Sequence, residues 1–194
     1  MGIKIKFNKP AQMKIWSNEK FTEEEWYKAL PIGNGSLGGM IFGGIKTEQI
    51  QLNEETVWYG GKRDRNNPNA LENLNKIREY LFKGNIKEAE DLANLALSAI
   101  PEGQRQYEPL GDLFIDFKID NGEVKNYERS LDLKEAVVNI KYNVGDVAYT
   151  REIFTSSPDK VMVINLNCNK SQSISFIGRL DRGKNYDHIY GKAN

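Results

Sequence analysis

The chain has 194 residues, 39% of them hydrophobic, enough for one large domain or two small ones with a sizeable core. Its 27 Lys and Arg balance 27 Asp and Glu, so no basic excess directs it to nucleic acid or to an anionic membrane. One cysteine, Cys168, and one histidine, His188, exclude an internal disulfide, a cysteine zinc site and a multi-histidine metal centre, and no metal or cofactor is expected.

The opening "MGIKIKFNKPAQMKIW" alternates apolar and basic residues and lacks the apolar run of a signal peptide, so the chain reads as cytoplasmic by default. "MGIKIK" also lacks the Ser or Thr of a myristoylation pattern. No window approaches the run of about twenty apolar residues that a helical membrane span needs. "IKIKF" places Ile3, Ile5 and Phe7 on one face, which predicts a half-buried strand.

Next comes "LPIGNGSLGGMIFGGIKTEQIQLNEETVWYGGKRDRNNP", which matches Gly-x-Gly-x-x-Gly at Gly33, Gly35 and Gly38. A phosphate loop needs a helix after those glycines, so that backbone N–H groups and the helix N-terminus face the anion. "GMIFGGIKTEQIQL" instead reads as two strands around a "GG" turn. The glycines are therefore expected to permit a tight turn and close backbone approach on a crowded sheet.

Period 3.6 takes over in "NALENLNKIREYLFKGNIKEAEDLANLALSAIP". Leu71, Leu74, Ile77 and Leu81 form one stripe, and Ala89, Leu92, Ala93 and Ala96 form a second. Asn69 with Glu72, and Asn85 with Glu88, have the form of capping boxes on either side of the "KGN" break. A helical hairpin over residues 69–98 is predicted, both stripes packing as core. Alternation then returns. "DLFIDF" aligns Leu113, Ile115 and Phe117, and "VVNIKYNV" aligns Val138, Ile140, Tyr142 and Val144. "VAYTREIF", "KVMVINLNC" and "SISFIGRL" follow, punctuated by "NVGD" and "SSPD" turns. Strands joined by short connections predict antiparallel pairing in one mainly β domain, residues 1–194, with an inserted helical hairpin. Cys168 reads as a small apolar group on a strand. The tail "LDRGKNYDHIYGKAN" ends without a closing strand, which suggests that the chain stops before its domain does.

Five segments in order, "ALPIGNGSLGGMIFGG", "IQLNEETVWYGGKRDRNNPNAL", "GQRQYEPLGDLFIDF", "YERSLDL" and "YTREIFTSSPDKVMVI", resemble the N-terminal β-domain of the glycoside hydrolase family 95 α-L-fucosidases. The resemblance implies an antiparallel super-sandwich of the galactose-mutarotase type, followed in the parent protein by an (α/α)6 barrel that hydrolyses fucosides with inversion. The family's general acid and water-activating groups lie in that barrel, and no segment here resembles it. The chain is thus expected to be noncatalytic, with the barrel of the parent chain as partner and a fucosylated glycan as the parent's ligand. A stand-alone carbohydrate-binding sandwich is the alternative. An active mutarotase-like enzyme needs a His and a carboxylate in a concave sheet, which a single tail histidine argues against.

By residue type alone, Glu54, Glu55, Asp64, Asp112, Asp116 and Asp132 are carboxylates available to acid–base chemistry, but sequence spacing places no pair of them in one cleft. His188 sits in the polar stretch "NYDHIYG" and reads as a loop residue. The best candidate for sugar binding or interdomain contact is "NEETVWYGGKRDRNN". Asn53, Glu54, Trp58, Tyr59, Arg63, Asp64 and Arg65 supply aromatic faces for sugar C–H groups and planar amide, carboxylate and guanidinium groups for hydroxyls. Structural or domain-docking use of the same residues is the favoured reading. A sandwich that continues beyond "RLDRGKNYDH" also leaves sheet edges open, so self-association through those edges is expected.

Overall fold

The computed structural model describes residues 2–11, 26–119 and 121–182. The chain forms two compact units, Met1–Val57 with Pro109–Asn194, and Trp58–Glu108. Among the described residues the first holds ten strands: β1 (Lys4–Phe7), β2 (Leu30–Gly33), β3 (Leu37–Ile41), β4 (Thr47–Glu54), β5 (Gly111–Phe117), β6 (Val124–Asp132), β7 (Val137–Val144), β8 (Val147–Ser156), β9 (Val161–Cys168) and β10 (Phe176–Asp181). They form two five-stranded sheets, ordered β1-β6-β7-β8-β9 and β10-β5-β4-β3-β2. Every pairing is antiparallel, and short connections require it in the hairpins β2–β3, β3–β4, β6–β7, β7–β8 and β8–β9.

Inward residues of both sheets fill one core. Val138, Ile140, Tyr142 and Val144 of β7 are buried as their alternation predicts, and they meet Ile32, Ile41 and Ile50 of the facing sheet. The glycine-rich stretch is the β2–β3 hairpin. Asn34 Oδ1 accepts N–H bonds from Ser36 at 3.0 Å and Leu37 at 2.8 Å, and Gly35 takes φ +94° in the turn. A strand, not a helix, follows those glycines, so the phosphate-loop geometry is absent there.

Two strand readings need correction. Ile3 and Ile5 do not form a half-buried face; they are exposed, because β1 is an edge strand. Strand β6, "VKNYERSLD", was not predicted, since polar residues occupy positions where apolar ones mark a strand. Its inward row is Tyr127, Arg129 and Leu131.

The core also contains charge. Arg151 of β8 shares the inward row with Tyr149 and Ile153, and Glu48 of β4 shares the inward row with Ile50 and Leu52. Arg151 Nη1 meets Glu48 Oε2 at 2.8 Å with both side chains buried. The guanidinium also donates to Gly44 O at 2.6 Å, Ile45 O at 3.1 Å and Tyr142 Oη at 2.7 Å, while Glu48 Oε1 accepts the Gly43 N–H at 2.7 Å. A planar five-donor group suits this fan of acceptors, and the network clamps the β3–β4 turn to the opposite sheet.

The second unit contains α1 (Ala70–Phe82) and α2 (Ile86–Leu97), matching the predicted hairpin. Neither Asn69 nor Asn85 caps with its side chain. Asn69 has helical φ and ψ of −87° and −2°, whereas a capping side chain needs the extended region to reach back to the N2 or N3 amide. The stripes are also only partly buried. Ile77, Ala89 and Ala96 are buried, but Leu71 is 81% exposed and Leu81 is exposed as well. The alanines of α2 bring the helices close along one line, which covers Ile77 and leaves the ends of the α1 stripe uncovered. Neither helix is long and apolar enough to cross a membrane.

Candidate functional site

The seven candidate residues divide between the two units. Asn53 and Glu54 end β4 and are consecutive on a strand, so they project to opposite faces of their sheet. Glu54 is tied down locally. Its carboxylate accepts the Thr56 N–H at 2.9 Å and the Thr56 hydroxyl, and receives the Ser36 hydroxyl at 3.3 Å. The bonds from Thr56 hold its carboxyl below the usual carboxylate range, which suits a permanent acceptor and not a general acid. Asn53 extends a row of amides with Gln49 and Gln51, and Gln51 Oε1 accepts the Trp26 indole N–H at 2.7 Å. The sequence reading missed Trp26 and this row; the period-two spacing of Gln49, Gln51 and Asn53 was the signal.

The other five residues lie in the helical unit. Trp58 pairs with Tyr107 through an isolated antiparallel bridge, and their rings meet edge to face with centroids 5.3 Å apart. Tyr59 N–H donates to Gln106 O at 2.8 Å. The three rings stay accessible, with Trp58 46% and Tyr59 65% exposed and Tyr107 exposed beside them. Tyr107 is far from Trp58 in sequence, and nothing local marks it as a partner.

The charged residues of this segment serve the scaffold. Arg63 Nη2 donates to Gly103 O at 3.2 Å, and Arg65 donates to Pro101 O at 3.0 Å and Glu102 O at 2.5 Å. Asp64 Oδ1 accepts the Asn66 N–H at 2.9 Å in a local turn. Both guanidinium groups thus strap residues 63–65 to residues 101–103, while Arg63 and Asp64 stay exposed along with the aromatic rings.

Carboxylates elsewhere in the sandwich are engaged similarly. Asp132 meets Lys4 at 2.9 Å and accepts the Lys134 N–H; Asp116 meets Arg179 at 3.2 Å and the Thr47 hydroxyl at 2.7 Å; Asp112 is buried against Gln49. Burial pushes the Glu48 carboxyl up, as a general acid requires, but this group is sealed against Arg151 in the core, beyond the reach of a sugar. A cavity lined by Phe117, Tyr142, Tyr149, Arg151, Leu166 and Ile174 has a volume of about 10 Å³, enough for about one water. An open groove of about 410 Å³ beside Phe7 and Tyr127 is bridged by the Lys6–Glu128 ion pair at 3.3 Å. His188 lies outside the described residues.

Residues 5–192 match the family described as "Glycosyl hydrolase family 65, N-terminal domain". The chain belongs to this family. This N-terminal domain is 38% identical over 153 residues to "Alpha-L-fucosidase 2" of Arabidopsis thaliana, covering 78% of this chain and 18% of the relative. It is 31% identical over 169 residues to "Probable alpha-fucosidase A" of Aspergillus niger, covering 83% of this chain and 21% of the relative. The protein of the same name from Aspergillus oryzae is 29% identical over 167 residues, covering 82% of this chain and 22% of the relative. The chain therefore spans about a fifth of the length of the curated relatives it matches.

Proposed function

We propose that this N-terminal domain is the noncatalytic part of an inverting α-L-fucosidase of the glycoside hydrolase family 95 type, supporting and helping to shape the sugar site of a helical catalytic barrel in a longer polypeptide. The relatives' names support the substrate class, since both kinds are called fucosidases. The observation that carries the noncatalytic reading is the use of the carboxylates. Inverting hydrolysis needs an acid and a base roughly 6.5–9.5 Å apart on opposite sides of a sugar. In this domain Glu54, Asp64, Asp112, Asp116 and Asp132 each hold a turn, an ion pair or a strand neighbour.

The outward rings of Trp58, Tyr59 and Tyr107 give the domain its contribution to sugar recognition, because an aromatic face packs against the C–H side of a pyranose. The same rings would serve a stand-alone binding module. A chimera separates the two roles. Replacing the matched segment of the Arabidopsis thaliana relative with this chain should preserve turnover of an aryl α-L-fucoside, whereas deleting the segment should abolish it. Trp58→Ala in the chimera should raise KM about tenfold, the loss of one aromatic contact. Full activity after deletion would contradict the supporting role. Tight, Trp58-dependent binding of fucosylated glycan by the isolated chain would favour the stand-alone module.

A further inference from the structure

The ribbon formed by residues 58–60 and 105–107 carries a cation that the fold leaves unused. Trp58 and Tyr107 face each other across an antiparallel bridge, and Tyr59 N–H donates to Gln106 O. Gly60 and Arg105 come next along the same ribbon. A Cβ at Gly60 would lie 1.4 Å from Arg105 Nη1 and 2.6 Å from its Cζ, and Gly60 has φ +73°. The guanidinium therefore occupies the space that a side chain at position 60 would fill, and only glycine leaves that seat open. Alternation puts Trp58, Tyr107 and Arg105 on one face of the ribbon, with Tyr59 and Gln106 on the other.

Arg105 differs from the nearby arginines in what it bonds. Arg63 and Arg65 spend donors on Gly103 O, Pro101 O and Glu102 O. Arg105 is half-buried, yet it makes no hydrogen bond or ion pair among the described residues. Packing against Gly60 thus places the group without consuming its five N–H donors. Residues 58–66 and 101–108 together carry four cations, Lys62, Arg63, Arg65 and Arg105, against three carboxylates, Asp64, Glu102 and Glu108. An anion approaching Arg105 therefore meets no net repulsion. Tyr107 and Arg105, two positions apart on an extended chain, are separated by about 7 Å, the scale of one pyranose with its C6 substituent. An aromatic face packs on sugar C–H groups, and a guanidinium matches paired oxygens of a carboxylate or a sulfate.

We propose that Trp58, Tyr107 and Arg105 form a subsite for an acidic sugar, the ring pair receiving its C–H face and Arg105 its carboxylate or sulfate. The subsite rests on the reading that the rings of this segment meet glycan, and it adds the charge of the sugar they select.

NMR titration of the 194-residue chain tests this with two matched pairs of saccharides. Tetragalacturonate is set against its fully methyl-esterified form, which keeps the backbone and removes the charge. A sulfated galactan tetrasaccharide is set against its desulfated form. The acidic member of at least one pair should bind about fivefold more tightly, and the pair that shows it identifies the anion. The preference should shrink as salt rises from about 20 mM to about 500 mM, because screening acts on the charge. Arg105→Met should abolish the preference, and Arg105→Lys should keep only part of it, since an ammonium lacks the paired donors of a guanidinium. Gly60→Ala displaces the guanidinium without removing it and should act like Arg105→Met. Trp58→Ala should weaken both members of a pair, with circular dichroism confirming the fold of each variant. Equal affinity for charged and neutral members, or a preference indifferent to Arg105→Met, would overturn the acidic subsite and leave the aromatic sugar contact standing. Absence of Trp58-dependent binding to any of the four saccharides would overturn both. A chimera that then loses turnover on Arg105→Met would assign this face of the ribbon to protein docking instead.

Discussion

Arg151→Met is expected to destabilise the sandwich by about 3–5 kcal/mol, the cost of breaking a buried ion pair from one side. The substitution leaves the Glu48 carboxylate without its cation at a fully buried position and removes the donors to Gly44 O, Ile45 O and Tyr142 Oη. Each of those acceptors then loses a charge-assisted donor. Arg151→Lys should rescue little, because a single ammonium cannot serve acceptors spread across two guanidinium nitrogens. Glu48→Leu combined with Arg151→Met should recover much of the loss, since it removes both charges together. Urea unfolding followed by tryptophan fluorescence measures all three. A cost below about 1 kcal/mol for Arg151→Met would show that the network is dispensable.

Gly43→Ala should cost about 2–4 kcal/mol, from left-handed backbone strain plus overpacking. Gly43 has φ +75°, and an added Cβ would lie 2.5 Å from Tyr127 Oη and 2.8 Å from Arg129 Cδ. Neither neighbour can retreat easily. Tyr127 Oη donates to Gly43 O at 2.6 Å, while Arg129 donates to Lys9 O at 2.9 Å and lies over the Phe7 ring at 4.2 Å. Gly35→Ala is the control. Gly35 has φ +94° but nothing within 4 Å of an added Cβ, so it should cost only the backbone strain of about 1–2 kcal/mol. Equal losses at the two positions, read as urea midpoints, would contradict the packing argument.

Alternation made most of the sandwich legible. β5, β7, β8 and β9 lie where period two places them, and β7 buries the residues its alternation selects. The helical hairpin was legible from its two stripes and the break between them, but its caps were not, because an Asn cap depends on backbone angles that composition does not reveal. β6 escaped because Arg129 occupies an inward position where an apolar residue is the usual mark. The buried pair was readable only by parity, as Arg151 lies in the row of Tyr149 and Ile153 and Glu48 in the row of Ile50 and Leu52. In the candidate segment the residue types were legible and their use was not. Arg63, Asp64 and Arg65 look like ligands for hydroxyl groups, yet they bond to backbone brought near by the return of the chain at residues 101–103 and by a local turn. Tyr107 joins Trp58 through the same long-range return.

The most direct test of the noncatalytic reading is the incubation of the purified 194-residue chain with an aryl α-L-fucoside at high enzyme concentration. The account predicts no release of the aryl alcohol above the enzyme-free blank. Turnover that disappears when one of the chain's own carboxylates is neutralised, Glu54→Gln or Asp116→Asn, would contradict it.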